Sequence, residues 1–211
     1  MPGRRCQRAT NVAYYARNRD AEIRRVRDRQ NATVAFLRDL RRVPCLDCGQ
    51  RFEPYQMDFD HREPTTKSFW VTTGRASLMS RERLLAEIAK CDIVCANCHR
   101  MRTQIQQRER LAALGPSAAK SRYIAAARER WRAHGRLLDR LKDVPCADCR
   151  GQFRSCAMDF DHRDPTTKRS AVARLVSQSV DRILAEVAKC DIVCANCHRD
   201  RTLRQRLAGV L

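Results

Sequence analysis

Histidines, aspartates and cysteines recur in two copies along this chain of 211 residues. Residues 57–67 read MDFDHREPTTK and residues 158–168 read MDFDHRDPTTK, while residues 90–100 and 189–199 are both KCDIVCANCHR. An Asp-His dipeptide with a further histidine nearby supplies the groups that a hydrolytic metal site needs. Cysteine pairs at Cys-x-x-Cys spacing are typical ligands of a tetrahedral zinc ion. The repeat therefore predicts a structural metal and reactive chemistry in each half of the protein.

Two Cys-x-x-Cys pairs flank the Asp-His dipeptide in each copy, with 46 residues between the pairs in the first copy and 44 in the second. We predict one structural Zn²⁺ per copy, since such an arrangement is unlikely to arise twice by accident. The predicted ligands are Cys45, Cys48, Cys95 and Cys98, and then Cys146, Cys149, Cys194 and Cys197. The alternative is that Cys91 or Cys190 replaces one of them; otherwise these two are small buried residues beside the site.

The histidines are few and placed at motif positions. Four of the five, His61, His99, His162 and His198, are equivalent between the copies, and only His134 stands apart. Histidines beside carboxylates and cysteines indicate catalysis or metal ligation. The alternative is a core histidine that is satisfied by hydrogen bonds.

Composition narrows the class of protein. The formal net charge of +19, from 43 Lys and Arg against 24 Asp and Glu, predicts a polyanionic partner, of which nucleic acid is the commonest. The alternative is that the positive charge serves solubility, or that it reflects the Arg-rich composition of proteins from a high-GC genome. No apolar run approaches the length of a membrane span and no signal-peptide region begins the chain. With cysteines in metal-type pairs, we expect a cytoplasmic protein with reduced thiols.

Helical and extended patterns surround the motifs. Residues 11–42 predict one or two basic amphipathic helices that end before Pro44, and residues 118–142 repeat the pattern. Each helix is expected to pack on its zinc module or to contact nucleic acid, and opposite faces allow both. Alternation in Met57–His61 predicts a short strand with one buried face.

Further helices are expected near the second cysteine pair of each copy. Ser80 and Ser179 resemble N-caps of helices, the first of which runs to about Lys90. A basic helix is predicted from the second pair to about Leu114, and Gly115-Pro116 marks the boundary between the copies. The predicted divisions are an N-terminal basic helical segment (1–42), a first zinc module (43–114), a linker with a basic helix (115–142) and a second zinc module (143–211). Trp70 and Trp131, which are not equivalent positions, are expected to be packing residues.

Together these residues resemble the HNH endonucleases with a zinc-bound ββα-metal core, and they are similar to the phage recombination endonucleases. The resemblance covers residues 45–100 and 146–199. It implies an α+β fold with two tandem small ββα-metal modules of the HNH or His-Me finger type, each preceded by a basic helix. It also implies a bacterial or phage-encoded setting. The protein would be a hydrolase that cuts DNA, and one chain with two such sites would be a monomeric pseudo-dimer.

The resemblance also implies roles for single residues. The histidine of Asp-His, His61 or His162, would be the general base, for which an imidazole is suited near neutral pH. The preceding aspartate and the histidine after the last cysteine would bind a catalytic divalent ion, Mg²⁺ or another cation. These predicted ligands are Asp60 and His99 in the first copy, and Asp161 and His198 in the second.

Some positions have more than one interpretation. The family's middle asparagine orients the base, and the candidates, Asn97 and Asn196, could instead cap the following helix. Asp58 and Asp159 should face the same side of the strand as the ligand aspartates, either supporting a catalytic histidine or merely solvated. Basic residues beside the motifs are expected to contact phosphate: Arg62, Lys67, Arg100, Arg163, Lys168 and Arg199.

We therefore predict a metal-dependent DNA endonuclease that hydrolyses phosphodiester bonds. The alternative is a non-catalytic zinc-dependent protein that binds nucleic acid, which the cysteines and the charge fit equally well. The repeated Asp-His dipeptides and histidines favour catalysis, because the spacers between the motif blocks have diverged almost completely.

Overall fold

The protein is described here by a computed structural model that covers residues 4–71, 76–114 and 122–209. The predicted boundary at Gly115-Pro116 and four residues of the polar connection within 68–80 lie outside the described residues. The architecture is mixed α+β, with two small antiparallel sheets of two strands and two clusters of four cysteines that could hold zinc. The fold class is confirmed at this level.

Six α-helices occur in the described residues. They are α1 (Arg4–Leu40), α2 (Arg81–Ile88), α3 (Ala96–Leu114), α4 (Arg122–Leu141), α5 (Val180–Val187) and α6 (Ala195–Leu207). Residues 11–42 were expected to form one helix or two, and the structure has one, α1, which ends before Pro44 as predicted. Ser80 is an N-cap whose hydroxyl accepts from the backbone N–H of Arg83 at 3.3 Å. Ser179 occupies the same position in α5 without a side-chain cap bond.

The four strands carry the repeated motifs. They are β1 (Met57–His61), β2 (Cys91–Cys95), β3 (Met158–His162) and β4 (Cys190–Cys194), and they form the sheets β1–β2 and β3–β4. In the second sheet Met158 lies opposite Cys194, and His162 lies opposite Cys190. Since α6 follows β4 without a break, the strand and helix place a cysteine pair at their junction.

The chain divides into two compact units with interleaved segments. One contains Met1–Pro44 and Phe59–Ile93, and the other contains Cys45–Asp58 and Val94–Leu211. The second unit therefore includes all eight predicted zinc ligands and the whole second copy.

In the first unit the core joins the end of α1 to α2. Leu37 is 1% exposed and clusters with Phe69, Val71, Leu84 and other apolar side chains. The amphipathic pattern at the C-terminal end of α1 is thus used for packing, whereas most side chains earlier in this helix are exposed. Burial of a leucine of this kind contributes about 2 kcal/mol to folding.

In the second unit the buried apolar side chains form two clusters that include residues of the β3–β4 sheet. One joins Leu138 of α4 to Ile183 of α5, and the other packs Met158 and Val193 against the zinc-type cysteines. Because the cysteines are part of this small core, the metal site and the packing depend on each other.

Both tryptophans lie at the surface. Trp70 and Trp131 are 68% and 52% exposed, so the expectation that they are packing residues is wrong. The Lys67 ammonium lies over the Trp70 ring in a cation–π contact. No helix in the described ranges has the combination of length and hydropathy that a bilayer span requires.

Candidate functional site

Each cysteine quartet converges on one point. In both Cys45/Cys48/Cys95/Cys98 and Cys146/Cys149/Cys194/Cys197, the sulfur atoms lie within 4.8 Å of one another. Four sulfurs at about 2.3 Å from a tetrahedral zinc ion lie about 3.8 Å apart, so the donors fit the ion in number, type and spacing. Two clusters compatible with structural zinc, one per copy, are thus present as predicted.

Backbone N–H groups support the thiolates. The N–H of Cys95 donates to Cys45 Sγ at 3.2 Å, and the N–H of Cys194 donates to Cys146 Sγ at 3.2 Å. Burial raises the pKa of Cys146, but hydrogen bonds from the backbone N–H groups of Cys194, Cys149 and Asp148 outweigh it and lower the pKa to about 7. A thiol that ionises near neutral pH is prepared to ligate a metal.

The turn after each first pair needs a left-handed residue. Gly49 has φ +69°, and its N–H donates to Cys45 O at 2.9 Å. In the second copy the equivalent residue is Arg150, with φ +61°, and its N–H donates to Cys146 O at 2.9 Å. The two turns therefore have the same hydrogen bond, but the second has a side chain where glycine is favoured.

Cys91 and Cys190 belong to neither quartet. Both are buried, and each thiol donates to the carbonyl of a glutamate four residues earlier, at 3.5 Å to Glu87 O and 3.4 Å to Glu186 O. Burial raises the pKa of each thiol to about 11. Cys91 and Cys190 are therefore small buried residues beside the sites and do not replace a cysteine of either quartet.

A cleft of about 380 Å³ in the second unit gathers the motif residues of the second copy. Asp159, Asp161, His162 and His198 line it together. Two lysines, Lys142 and Lys168, line the same cleft. The predicted base, both predicted metal ligands and two cations thus share one concave surface.

His162 is held by a glutamate that sequence analysis did not single out. Its Nε2 lies 2.8 Å from Glu186 Oε1, and the two residues are 6% and 4% exposed. The same carboxylate accepts from Lys189 Nζ at 2.6 Å and from the backbone N–H of Arg169 at 2.9 Å. The hydrogen bond from Lys189 outweighs burial and lowers the pKa of Glu186 to about 2.

That glutamate determines the tautomer of the histidine. A carboxylate with a pKa of about 2 is ionised at neutral pH and only accepts hydrogen bonds. Neutral His162 must therefore donate from Nε2, which leaves the lone pair on Nδ1. A neutral imidazole with one free nitrogen and a buried carboxylate behind it is the arrangement of a general base.

His198 is held by a carboxylate through Nδ1, whereas His162 is held through Nε2. Its Nδ1 lies 2.7 Å from Asp159 Oδ2, and its Nε2 lies 3.5 Å from Asp161 Oδ1. Burial raises the pKa of Asp159, but hydrogen bonds from His198 and Arg100 lower it to about 2. Because this carboxylate is ionised, neutral His198 donates from Nδ1 and carries its lone pair on Nε2, toward Asp161.

The pair of His198 Nε2 and Asp161 Oδ1 fits a divalent cation. Ligand atoms at about 2.1 Å from an octahedral ion and at right angles lie about 3.0 Å apart, close to the observed 3.5 Å. The other oxygen of Asp161 accepts from Arg201 Nη1 at 3.2 Å. A carboxylate behind a ligating imidazole, here Asp159, is the usual support of such a ligand.

The first copy has two equivalent contacts, one in each unit. Within one unit, His61 Nε2 lies 2.9 Å from Glu87 Oε1. Burial raises the pKa of Glu87, but hydrogen bonds from Lys90 and other donors outweigh it and lower that pKa to about 2. Within the other unit, His99 Nδ1 lies 2.9 Å from Asp58 Oδ2. Asp60 is buried next to His61 in β1. Both copies therefore have the glutamate–histidine and the aspartate–histidine pair.

The predicted orienting asparagines have other surroundings. Asn97 Oδ1 accepts from the backbone N–H of Asn196 at 3.1 Å. The side chain of Asn196 is buried without a hydrogen-bond partner among the described residues. The carboxylates of Glu87 and Glu186, rather than these amides, bond the candidate bases.

The residues expected to contact phosphate fall into three groups. Arg62 and Arg163 donate to carbonyls at the C-terminal ends of α2 and α5, including Ala89 O and Ala188 O. Arg100 and Arg199 pair with aspartates of the opposite copy. Lys67 lies on Trp70, and Lys168 lines the second-copy cleft. Of the six, Lys168 is the one that shares the cleft with the predicted base.

Three residues near the site were missed by sequence reasoning. Glu87 and Glu186 lie in AEIAK and AEVAK, so the repeat extends beyond the blocks singled out above, and a repeated glutamate on the apolar side of a helix was the available signal. Lys142 also lines the cleft, with Nζ 5.2 Å from the centroid of the Phe160 ring, and burial lowers its pKa. Arg41 has the same relation to Phe59 in the first copy, at 4.7 Å.

Comparisons with protein-family models, with curated proteins and with solved structures give no match to this chain.

Proposed function

We propose that the protein is a metal-dependent DNA endonuclease of the HNH type, in which each copy hydrolyses a phosphodiester bond. The observation that carries this proposal is the pair of histidines in the second-copy cleft. His162 and His198 face one cleft but are hydrogen-bonded through different nitrogens, so one is suited to accept a proton and the other to ligate a cation. A site that only binds DNA has no use for this division.

The proposed base is the Nδ1 atom of His162. Glu186 accepts a hydrogen bond from Nε2 and provides a buried negative charge that stabilises the imidazolium formed when Nδ1 takes a proton from water. The lysine and backbone donors around Glu186 prevent that carboxylate from taking the proton itself. In the first copy, the same roles fall on His61 and Glu87.

Asp161 and His198 are the proposed ligands of a divalent cation, and by the sequence repeat Asp60 and His99 are their equivalents. A bound divalent ion would stabilise the negative charge that develops on the phosphate and on the leaving oxygen. Lys142 and Lys168 at the same cleft would orient the phosphate by charge. The net charge of +19 supports a polyanionic substrate.

Supercoiled plasmid tests the proposal. We expect nicking and linearisation with Mg²⁺ or Mn²⁺, none with EDTA, and about 10²- to 10⁴-fold slower cutting by the His61→Ala/His162→Ala double variant. Zinc content and helical circular dichroism of the double variant serve as its folding control. Tight, salt-sensitive binding of plain and branched DNA without cutting in any metal would instead support the non-catalytic nucleic-acid-binding function.

Single-copy variants test whether one chain cuts both strands. We expect His61→Ala and His162→Ala each to give nicked circles as the main product, because one working base cuts one strand per encounter. Unchanged linearisation by either variant would contradict the use of two sites as a pseudo-dimer.

A further inference from the structure

Two arginines of the second unit cross from one copy to the other. Arg100 follows His99 in the first copy, yet its Nη1 lies 2.7 Å from Oδ1 of Asp159 in the second copy. Arg199 follows His198 in the second copy, yet its Nη2 lies 2.7 Å from Oδ2 of Asp58 in the first copy. The contacts are reciprocal, as in an isologous interface between identical subunits.

Each of these aspartates also holds a histidine of its own copy. Asp159 receives Arg100 on one oxygen and Nδ1 of His198 on the other, at 2.7 Å each. Asp58 binds Arg199 Nη2 and Nδ1 of His99 on Oδ2, at 2.7 and 2.9 Å, and Arg199 Nη1 on Oδ1, at 3.1 Å. A carboxylate bound at both oxygens cannot rotate freely, so the arginine limits the positions of the imidazole.

We propose that Arg100 and Arg199 are positioning residues that act in trans, each orienting the metal-ligand histidine of the opposite copy through an aspartate. The role of the histidines as ligands rests on the proposed function, whereas their orientation by the arginines does not. Each copy then depends on the other for the position of its histidine.

Other contacts within the same unit support this interdependence. The N–H of Asn196 donates to Asn97 Oδ1 at 3.1 Å, which joins the first turns of α3 and α6. Gln56 Nε2 donates to Asn196 O at 3.0 Å, and the Tyr55 hydroxyl donates to Asp200 at 2.6 Å. The two arginines, whose side chains are 40% and 36% exposed, therefore lie beside several other hydrogen bonds between the copies.

The competing explanation is that Arg100 contacts phosphate beside His99 in its own copy, as the sequence predicted. The two explanations make opposite predictions about which copy fails. A cis phosphate contact would affect the first copy, whereas trans positioning affects the second. Single-copy backgrounds separate them.

The activity experiment combines Arg100→Met with each single-copy background. In His61→Ala, where only the second copy has its base, we expect Arg100→Met to reduce metal-dependent nicking about 10-fold, at the low end of the effect of a residue behind a metal ligand. In His162→Ala we expect less than about a 3-fold change. Arg199→Met should give the reverse pattern, and Arg110→Met on the same helix α3 is the matched control.

A second readout does not need cleavage. The chain has five histidines, so their ring ¹H–¹³C signals can be assigned with single His→Gln variants. We expect Arg100→Met to move the His198 signal more than the His99 signal, and Arg199→Met to do the opposite. Asp159→Asn, which keeps the side-chain shape, should also move His198. Retention of two zinc ions per chain shows that a variant is folded.

The outcomes are distinct. Crossed signal shifts in a protein that never cuts DNA would support the positioning and contradict the proposed nuclease. Cleavage with losses confined to the arginine's own copy, or signal shifts of its sequence neighbour alone, would overturn the trans positioning and leave the nuclease intact. If Arg100→Met loses zinc, Arg100→Gln and Asp159→Asn carry the same comparison.

Discussion

Replacement of Glu186 by glutamine should reduce both the proposed nuclease activity of the second copy and the stability of the fold at neutral pH. Glu186 is 4% exposed, and its two oxygens accept from His162, Lys189 and two backbone N–H groups. Glutamine has nearly the same shape but no charge, and its amide group offers donors where Lys189 Nζ also donates. The variant therefore tests the buried charge with little change in volume.

The stability effect follows from the pKa. The hydrogen bond from Lys189 and those from His162 and the backbone outweigh burial and lower the pKa of Glu186 from 4.5 to about 2. A difference of about 2.5 pKa units corresponds to about 3 kcal/mol. Since Lys189 is 29% exposed and screened by water, we expect about 2 kcal/mol.

The sign of the pH dependence is set by the same difference. The folded pKa lies below the unfolded one, so the stabilisation is present above about pH 5 and is lost as pH falls toward 2. The difference in free energy of unfolding between the parent and Glu186→Gln should therefore be largest near pH 7 and shrink between pH 5 and 2. Urea unfolding of both proteins at matched pH measures it.

The activity effect follows from the imidazolium. Glutamine can still accept from Nε2 of His162, so the tautomer is kept, but the charge that stabilises the protonated ring is lost. A general base contributes about 10²- to 10⁴-fold to a rate, and we expect loss of its partner to reduce nicking about 100-fold. The assay uses the His61→Ala background, in which only the second copy has its base.

Glu129→Gln is the matched control, since Glu129 is an exposed carboxylate on α4 that pairs with Arg136. It should leave nicking unchanged. A Glu186→Gln variant that cuts as fast as its parent, while His162→Ala is inactive, would refute the idea that the glutamate supports the base.

Other perturbations give equally definite expectations. The protein should contain two zinc ions per chain by elemental analysis, and Cys146→Ser/Cys149→Ser or Cys45→Ser/Cys48→Ser should each leave one; four thiolates converge at each cluster. Arg150→Gly should raise the free energy of unfolding by about 1 kcal/mol and Gly49→Arg should lower it by about as much, because both positions are left-handed; no change in either would contradict this turn geometry. Leu37→Ala should lower the free energy of unfolding in urea by about 2–5 kcal/mol, because Leu37 is 1% exposed. Leu111 is 66% exposed, so Leu111→Ala should change that free energy by less than about 0.5 kcal/mol.

Local patterns predicted much of this fold. The alternation in Met57–His61 and the Ser80 cap gave a strand and a helix close to those observed. The Cys-x-x-Cys spacing predicted the convergence of four sulfurs, because a knuckle presents both thiols to one point. These features depend on residues near each other in sequence or on a strongly restrictive chemistry.

Pairings over long distances were not predictable in the same way. Glu186 bonds His162 across 24 residues, and Arg100 bonds Asp159 across 59 residues. Neither contact follows from helical or strand periodicity, since both depend on how separate elements pack. Trp131 shows the converse, because a large apolar side chain suggests burial but the helix turns it to the surface.

DNA binding and metal-dependent cutting should be measured together for four proteins: the parent, His61→Ala, His162→Ala and the double variant. We expect all four to bind plasmid within about 3-fold of one another, because the +19 charge is unchanged. Cutting should fall about 10²- to 10⁴-fold in the double variant, as expected for loss of a general base. Equal cutting by the parent and the double variant, or equal binding with no cutting by any of the four, would contradict the proposed nuclease and its histidine bases.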